Sequence, residues 1–186
     1  MRFNVVFVGS VGAGKTSIIK SRMNEDINKH VSTIAVDYIQ LNIGKYDISL
    51  WDTCGQERFM SLTSSYFMRG HVFVLVHDVA DSCVENDLEK WRKEIVDKCP
   101  ARHTPVIIVV SNKVDITPFC DSSVSEWTRG HSFDHIHTSA KTGENIHKIF
   151  TKIEDSITVH QSDWLTPSLP ALPHVPESEP SPGCAC

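Results

Sequence analysis

The sequence has little basic charge and no long apolar run. Its 18 Lys and Arg residues are outnumbered by 23 Asp and Glu residues, so the formal net charge is −5. Domains that bind nucleic acids usually present a basic surface, and this balance gives no electrostatic support for such a function. A membrane-spanning helix needs roughly 20 consecutive apolar residues, and no stretch approaches that length. The 186 residues are enough for one globular domain.

Closely paired cysteines are also missing from most of the chain. Four of the six cysteines are scattered at positions 54, 83, 99 and 120, without the C-x-x-C spacing of metal and redox sites. A disulfide framework or a cysteine-based metal site is therefore not expected. Reduced thiols in a cytosolic protein fit this distribution better.

The composition changes near position 161. Six of the nine prolines lie within residues 167–182, with Ser and Glu among them. Such a segment buries too little apolar area to fold. We therefore predict an ordered domain over residues 1–160 and a disordered tail over residues 161–186, which ends in Cys184-Ala185-Cys186.

The eight residues from Gly9 to Thr16, G-S-V-G-A-G-K-T, fit the phosphate-binding pattern G-x-x-x-x-G-K-[ST]. A strand-like run precedes them and a helix-like segment follows, which is the context that this motif requires. Glycines let the loop turn its backbone N–H groups towards a phosphate, and the helix N-terminus adds its dipole. Lys15 is expected to reach the outer phosphates, while the Thr16 hydroxyl binds Mg²⁺. The predicted phosphate-binding residues are Val11, Gly12, Ala13, Gly14, Lys15, Thr16 and Ser17.

A second signal follows a later strand-like segment, residues 47–51. Asp52 at its end can hold Mg²⁺ through water, and the Gly55 N–H can approach a terminal phosphate. Gln56 can orient an attacking water, which makes Gln56 and Lys15 the predicted catalytic residues. Each short motif is weak by itself, but several in order, each at the end of a strand, form a specific combination.

Two further motifs predict the site of the base. Asn112-Lys113-Val114-Asp115 and Thr138-Ser139-Ala140-Lys141 each follow a strand-like segment. The Asp115 carboxylate can accept two N–H bonds from guanine. Adenine lacks that donor edge, so ATP would leave a buried charge unpaired. The pattern therefore predicts a site for GTP and GDP rather than for ATP.

Strand-like and helix-like segments alternate along the first 159 residues. This alternation predicts an α/β fold whose mainly parallel sheet is covered by helices on both faces. A short hairpin, with its turn at Gly44-Lys45, supplies one antiparallel edge strand of a six-stranded sheet. Ligands then bind beyond the carboxyl ends of the strands. The predicted strands span 4–8, 38–43, 47–51, 72–76, 105–110 and 133–137, and the predicted helices begin at 17 and span 85–98, 122–129 and 143–159.

The motifs resemble those of one family. Residues 51–59, W-D-T-C-G-Q-E-R-F, differ from the Rab pattern W-D-T-A-G-Q-E-R-F only at Cys54. Residues 32–38, S-T-I-A-V-D-Y, resemble the Rab pattern S-T-I-G-V-D-F. The chain is therefore similar to the small GTPases of the Ras superfamily, and most similar to the Rab branch, over roughly residues 3–159.

The resemblance implies a P-loop NTPase fold of the Ras-like type and assigns roles to matching residues. Thr33 would bind Mg²⁺ through its hydroxyl and the γ-phosphate through its amide, so the implied metal residues are Thr16, Thr33 and Asp52. Tyr38, Trp51 and Tyr66 match the aromatic triad with which Rabs contact effectors, although core packing is an equally good explanation for Trp51. The implied nucleotide-binding residues beyond the phosphate loop are Thr33, Gly55, Asn112, Lys113, Asp115, Ser139, Ala140 and Lys141.

The resemblance also implies a cellular role. A Rab-like protein is a GTP/GDP switch that hydrolyses GTP, needs Mg²⁺ and regulates vesicle-mediated transport. Its expected partners are a guanine nucleotide exchange factor, a GTPase-activating protein, a GDP-dissociation inhibitor or escort protein, and effectors, with no nucleic acid. Cys184 and Cys186 match the C-x-C ending on which Rabs receive two geranylgeranyl groups. We therefore expect a monomeric G domain, found in the cytosol and on the cytoplasmic face of endomembranes.

Several positions depart from the Rab pattern. Val11 stands where Rabs usually have a small residue, beside the expected γ-phosphate, so we expect slow intrinsic hydrolysis. Ile27 stands where small GTPases often have an aromatic side chain over the guanine. Ala35 replaces a glycine of the Rab pattern. The stretch from Thr33 to Asp52 is about four residues shorter than usual, so a shortened hairpin is expected.

Two alternatives to a working switch stay open. Val11 favours a GTP-bound scaffold with little or no hydrolysis, whereas Gln56 argues against it. A P-loop kinase of nucleosides or small metabolites is a third possibility. The motif from Asn112 to Asp115 and the absence of an Arg-rich lid segment count against the kinase.

Three of the ten histidines form the cluster H-x-x-x-H-x-H at His131, His135 and His137. His135 and His137 share one face of a predicted strand, whereas His131 precedes it. No fourth ligand is apparent from the sequence, so a solvated strand edge is favoured over a zinc site.

Overall fold

The computed structural model describes residues 2–27, 33, 36–55, 66–81, 84–99, 104–116 and 121–165. Within them, six strands alternate with four helices. The strands are β1 (Arg2–Val8), β2 (Val36–Ile43), β3 (Tyr46–Thr53), β4 (Val72–Asp78), β5 (Val106–Asn112) and β6 (Asp134–Thr138). The helices are α1 (Lys15–Arg22), α2 (Val84–Lys98), α3 (Ser122–Gly130) and α4 (Ile146–Leu165).

The strands form one six-stranded sheet in the order β2-β3-β1-β4-β5-β6. Only β2 is antiparallel to its neighbour, and β2 lies at the edge. The predicted mixed α/β fold is therefore confirmed. The central strands β1, β4 and β5 are nearly continuous apolar runs because both of their faces are covered.

The period of two along each strand divides the core into two layers. In β1, Phe3, Val5 and Phe7 face a cluster that includes apolar residues of α1 and α4. Val6 and Val8 face the opposite cluster, to which α2 and α3 contribute. The helices thus cover both faces of the sheet, as the alternation of segments predicts.

The hairpin of β2 and β3 closes through a two-residue turn. Ile43 pairs with Tyr46, which leaves Gly44 and Lys45 as the turn residues. Gly44 has φ +54, and an added Cβ would lie 1.8 Å from a carboxylate oxygen of Glu154 on α4. The turn therefore favours glycine for its backbone conformation, and the Glu154 carboxylate would have to move aside for a larger residue.

Helix α4 continues to Leu165, beyond the domain boundary predicted at residue 160. The reason is packing near its end. The Trp164 ring lies 6.0 Å from the Phe3 ring and 5.1 Å from the His71 ring, centroid to centroid. An aromatic residue that covers the start of β1 extends the ordered helix into a segment whose polar composition indicates disorder.

None of the helices in the described part of the chain is both long enough and apolar enough to span a membrane. The longest, α4, has its buried positions on one side only, at Ile146, Ile149, Phe150, Ile153 and Ile157. This spacing is that of a helix packed on a globular core.

Candidate functional site

The carboxyl ends of the parallel strands meet at one edge of the sheet and surround a cavity of about 450 Å³. The loop between β1 and α1 forms one side of it, and the segments after β3, β5 and β6 form the others. Its lining residues are Val11, Gly12, Gly14, Lys15, Thr16, Ser17, Ile27, Thr33, Thr53, Cys54, Asn112, Lys113, Asp115, Ile116, Ala140 and Lys141. The separate motifs of the sequence therefore share one cavity.

The loop from Gly9 to Gly14 has the backbone that its glycines permit. Gly9, Gly12 and Gly14 all have positive φ, at +131, +79 and +95. A Cβ on Gly14 would lie 2.2 Å from Nδ2 of Asn112. The loop therefore packs directly on the base motif, and only glycine fits there.

Lys15 lies across the mouth of this loop. Its Nζ donates to the carbonyl oxygens of Gly9 and Ser10, both at 2.8 Å. Burial lowers the pKa of Lys15 to about 8, against the opposing negative charge of Asp52. The ammonium is thus held in a poorly solvated position where a phosphate oxygen would be a strong partner.

Three oxygen-bearing side chains converge beside the lysine. Thr16 Oγ1 donates to Asp52 Oδ2 at 2.6 Å, and Thr33 Oγ1 lies 3.1 Å from Thr16 Oγ1 and 3.4 Å from Asp52 Oδ2. The buried Asp52 Oδ1 finds no hydrogen-bond partner among the described residues. Burial raises the pKa of Asp52, although the Thr16 hydrogen bond and the Lys15 charge oppose that shift.

This donor set fits Mg²⁺. Hydroxyl and carboxylate oxygens are the ligands that Mg²⁺ prefers, and it usually keeps several waters. The orphaned oxygen of Asp52 offers a partner for such an ion or its water shell. The structure thus brings together the three residues predicted for the metal, Thr16, Thr33 and Asp52.

Asn112 joins the phosphate loop to the base motifs. Its Nδ2 donates to the Ala13 carbonyl at 2.9 Å, and its Oδ1 accepts from the Ala140 amide at 3.1 Å. The Thr138 hydroxyl donates to the same Oδ1 at 3.3 Å. Because Asn112 is 1% exposed, these bonds are shielded from water and fix three loops relative to one another.

Asp115 lies at the base end of the cavity. Its Oδ1 accepts from the Ser139 hydroxyl at 2.6 Å, and Lys141 Nζ lies 3.8 Å from its Oδ2. The carboxylate is oriented by these contacts and its side chain is 15% exposed. Ile27 adds apolar surface to the cavity lining.

Two features of this region were not predicted from the sequence. Ile116, 56% exposed, adds apolar lining beside Asp115. Asp78, at the end of β4, pairs with Lys113 Nζ at 2.7 Å. Asp78 had a detectable signal, since it ends a strand and lies two residues after an apolar run.

Val11 lines the cavity from the phosphate loop and is 62% exposed. On the other side of Lys15, Gly55 has φ +68, and an added Cβ would lie 2.6 Å from Lys15 Nζ. The predicted catalytic Gln56 lies outside the described residues. So do Ala35 and the lipidation cysteines Cys184 and Cys186.

The predicted effector triad forms one aromatic cluster. The Trp51 ring lies 4.6 Å from the Tyr38 ring and 4.5 Å from the Tyr66 ring, centroid to centroid. Tyr38 is 44% exposed, whereas Trp51 is half-buried against the core layer of α2 and α3. Trp51 thus packs on the core and also reaches the surface. Its position is compatible with both explanations, core packing and contact with effectors.

Of the two histidines of β6, His135 is not part of a solvated strand edge. The His135 side chain is 11% exposed, and both His135 and His137 contact the carboxylate of Asp121 through Nε2. The preferred explanation from the sequence was therefore wrong for His135. Asp121 immediately precedes α3, and only the packing of α3 on the sheet brings it beside β6.

Known proteins are similar in sequence to most of this chain. The sequence model of the Ras family matches residues 4–159. The chain is 31% identical over 159 residues to Ras-related protein Rab-7B of Dictyostelium discoideum, with 81% of this chain and 80% of that protein covered. It is 30% identical over 159 residues to Ras-related protein Rab-30 of Homo sapiens, with 80% and 76% covered.

Proposed function

The chain belongs to the Ras family of small GTPases, and from this premise we propose that it is a Rab-type GTP/GDP switch in vesicle-mediated transport. The observation that carries the proposal is the shared cavity. Lys15 and Thr16, which are suited to bind phosphate and Mg²⁺, line one end of the cavity, and Asp52 lies directly behind them. Asp115 lies at the other end. Asn112 joins the two ends through hydrogen bonds.

In the proposed mechanism, the protein mainly positions groups and stabilises charge. Lys15 and the backbone N–H groups of the phosphate loop bind the β- and γ-phosphates, and Gln56 orients the attacking water. Thr16, Thr33 and Asp52 would hold Mg²⁺, which when bound neutralises charge that develops on the phosphate oxygens. The contacts of Thr33 support a switch in which its segment is held by γ-phosphate and released after hydrolysis.

Hydrolysis is proposed to be slow because of Val11. Its branched side chain is stiff at χ1 and stands on the phosphate loop at the cavity wall. A bulky group beside the γ-phosphate displaces the attacking water or an incoming arginine, and a small displacement is costly in phosphoryl transfer. The 62% exposure of Val11 supports a side chain that projects into this space rather than into the core.

Single-turnover GTP hydrolysis tests this function. Wild type, Val11→Gly and Val11→Ser are loaded with GTP and Mg²⁺, and phosphate release is followed in each. We expect both variants to be at least about tenfold faster than wild type, which corresponds to about 1.4 kcal/mol of barrier. Gln56→Leu in the Val11→Gly background serves as the control and should be slow again.

Equal rates in wild type and both Val11 variants would contradict the role of Val11. Rates that are negligible in all of them would favour the alternative, a GTP-bound scaffold. Identification of the nucleotide that co-purifies separates the third possibility, because a nucleoside or metabolite kinase would retain ATP or ADP. Asp115 favours guanine over that alternative.

The proposal also includes the protein's binding partners and its attachment to membranes. The exposed aromatic cluster of Tyr38, Trp51 and Tyr66 supports an effector surface, with an exchange factor, an activating protein and a dissociation inhibitor or escort protein as further partners. We propose that residues 1–160 form the core of a monomeric G domain, although α4 extends to Leu165, and that the tail beyond it carries prenyl groups on Cys184 and Cys186. The protein would then move between the cytosol and endomembranes.

A further inference from the structure

A second polar cluster lies beside the nucleotide site, on the face of the sheet that α2 and α3 cover. His77 on β4 pairs in register with Ser111 on β5, and Ser111 pairs with His137 on β6. His135 lies two residues before His137 and so shares its face. Asp121, directly before α3, approaches from above this row. None of these five residues lines the nucleotide cavity.

The side chains of this cluster converge on the hydroxyl oxygen of Ser111. His77 Nε2 and His135 Nε2 each lie 2.6 Å from Ser111 Oγ, and Asp121 Oδ2 lies 3.1 Å from it. His135 Nε2 and Asp121 Oδ2 are 3.2 Å apart. The three candidate ligand atoms, from His77, Asp121 and His135, all lie within 4.8 Å of one another.

The hydrogen bonds of His77 indicate which of its ring nitrogens could bind a metal. His77 Nδ1 faces the Asp78 carbonyl at 3.2 Å, and since a carbonyl can only accept, the proton of the neutral ring belongs on Nδ1. His77 Nε2 is then an acceptor, and so is the Asp121 carboxylate. The Ser111 hydroxyl can donate to His77 Nε2, and the Nε2–H groups of His135 and His137 can donate to Asp121. A bound cation would take the place of these protons.

Burial agrees with a neutral ring at His77. The residue is 5% exposed, so its ring has little contact with water. A histidine that donates one ring N–H to a backbone carbonyl has its other nitrogen available as an acceptor, and metal-bound histidines usually have this arrangement. Asp121 adds the one negative charge of the set, and His137 contacts the same carboxylate oxygen from the solvent side.

We propose that His77, His135 and Asp121 form a site for a divalent transition metal of the zinc type, with His137 beside the remaining coordination position. Two imidazole nitrogens and one carboxylate, with a fourth place open to His137 or water, form a ligand set that zinc accepts. The side-chain exposure of His135 and Asp121, 11% and 10%, means that the metal would be largely enclosed. His137, 39% exposed, lies at the entrance.

The sequence cluster H-x-x-x-H-x-H suggests His131 as a ligand, but the structure excludes it from this point. His131 Nδ1 lies 2.9 Å from the Trp127 carbonyl, and its ring stacks on Phe133. Its Nε2 lies 3.8 Å from Glu89 of α2. His131 is therefore a matched control, since it belongs to the same sequence pattern without facing the proposed metal.

Cobalt titration of the full-length protein tests the site. The protein is kept with excess GDP and Mg²⁺, so that the nucleotide site is filled, and Co²⁺ is added while visible absorption is recorded. We expect one equivalent to give the absorption of four- or five-coordinate cobalt without the near-ultraviolet charge-transfer band of a thiolate ligand. At about a hundredfold excess over the dissociation constant, the melting temperature should rise by roughly 5–10 °C.

Three variants make the assignment specific. His135→Gln and Asp121→Asn should each lose the cobalt spectrum and the rise in melting temperature, whereas His131→Gln should keep both. The bound GDP per protein reports whether each variant is folded, and it is expected to stay near one in all three. This readout also separates the metal site from the proposed GTPase function, because the two results do not depend on each other.

The proposal would be overturned if wild type gave no cobalt spectrum, or if His135→Gln bound cobalt as tightly as wild type. A thiolate band would overturn it as well, because the metal would then be bound by cysteine. Should His135→Gln lose GDP, His137→Gln replaces it. A weaker cobalt affinity in His137→Gln at full GDP content supports the site, and an unchanged affinity and spectrum count against it.

Discussion

At the scale of single residues, Asp115 shows how a carboxylate can select a base. Ser139 donates to its Oδ1 at 2.6 Å, which fixes the plane of the carboxylate, and the side chain is largely shielded from water. A hydrogen bond to a charged group is typically worth about 1.5–3 kcal/mol, more than one between neutral groups. A base that offers no N–H donors here would leave this charge unpaired.

We therefore expect Asp115→Asn to weaken GTP binding and to admit xanthine nucleotides. The amide replaces one acceptor by a donor, so it opposes the N–H groups of guanine and matches a carbonyl of xanthine. The dissociation constant for GTP should rise by about 10- to 100-fold, or 1.4–2.8 kcal/mol. Competition binding of fluorescent GTP against GTP, ATP and XTP measures this change.

The control for that experiment is Glu144→Gln, an acid-to-amide change at an exposed residue of the loop after β6. It should leave GTP affinity unchanged. Wild-type affinities for ATP and GTP within tenfold of each other would contradict the guanine site altogether.

The retention of nucleotide is a second residue-scale property, and we expect it to depend on Ile27. It lines the cavity, but it offers less flat apolar area than an aromatic ring would. An aromatic contact with a ring is worth about 0.5–1.5 kcal/mol beyond its area. Ile27→Phe should therefore slow GDP release by about 2- to 12-fold, measured by displacement of a fluorescent GDP.

The matched control changes apolar size at the cavity without an aromatic ring. Ile27→Leu should release GDP at the wild-type rate. An unchanged rate in Ile27→Phe would mean that the base is covered by another group, for which Ile116 is the nearest apolar candidate in the described cavity lining.

At the scale of elements, α4 covers the sheet layer behind the phosphate loop. Its buried residues follow the helical period, and they pack against the same cluster as Ile18 and Ile19 of α1. Helix α1 begins at Lys15, so the position of the phosphate-binding lysine depends on this packing. Loss of packing in α4 is therefore expected to disturb α1 and, with it, the position of Lys15.

Shortening one buried side chain at the centre of α4 tests this packing. Ile153 is 0% exposed, and Ile153→Ala should lower the free energy of unfolding by about 2–5 kcal/mol through lost apolar burial and the cavity left behind. Urea unfolding at a fixed GDP concentration measures it. Val159→Ala on the same helix, 68% exposed, should stay within about 0.5 kcal/mol of wild type, and an equal loss in both would contradict the packing.

At the scale of the whole molecule, the proposed membrane attachment depends on the two terminal cysteines, which lie outside the described residues. The tail has no Lys or Arg after Lys152, so a basic patch cannot supply a second membrane signal. One lipid chain anchors a protein only marginally, whereas two anchor it stably. The two cysteines should therefore act together.

Cell fractionation measures this dependence. The Cys184→Ser, Cys186→Ser double variant should move from the membrane fraction to the soluble fraction, and each single variant should show partial loss. Ser181→Ala, three residues before Cys184, is the control and should fractionate like wild type. Membrane association that persists in the double variant would refute attachment through these cysteines.

Much of this protein is determined by its sequence because the relevant patterns are local. The glycines of the phosphate loop permit the positive φ angles that the loop adopts. The apolar runs of β1, β4 and β5 predict buried strands. Parallel strands end at one edge of a sheet, so motifs that follow them must meet there. That rule was enough to place Thr16, Asp52 and Asp115 around one cavity.

Other features were decided only by tertiary structure, because they depend on register and on packing between distant segments. Asn112 reaches Ala13 across 99 positions of the chain, and Trp164 extends α4 because Phe3 and His71 lie beneath it. His77, which has no local pattern to mark it, meets His135 and Asp121 only because three strands pair in one register and α3 packs beside them. A sequence shows which residues can bind, but the alignment of strands decides which of them converge on the same atom.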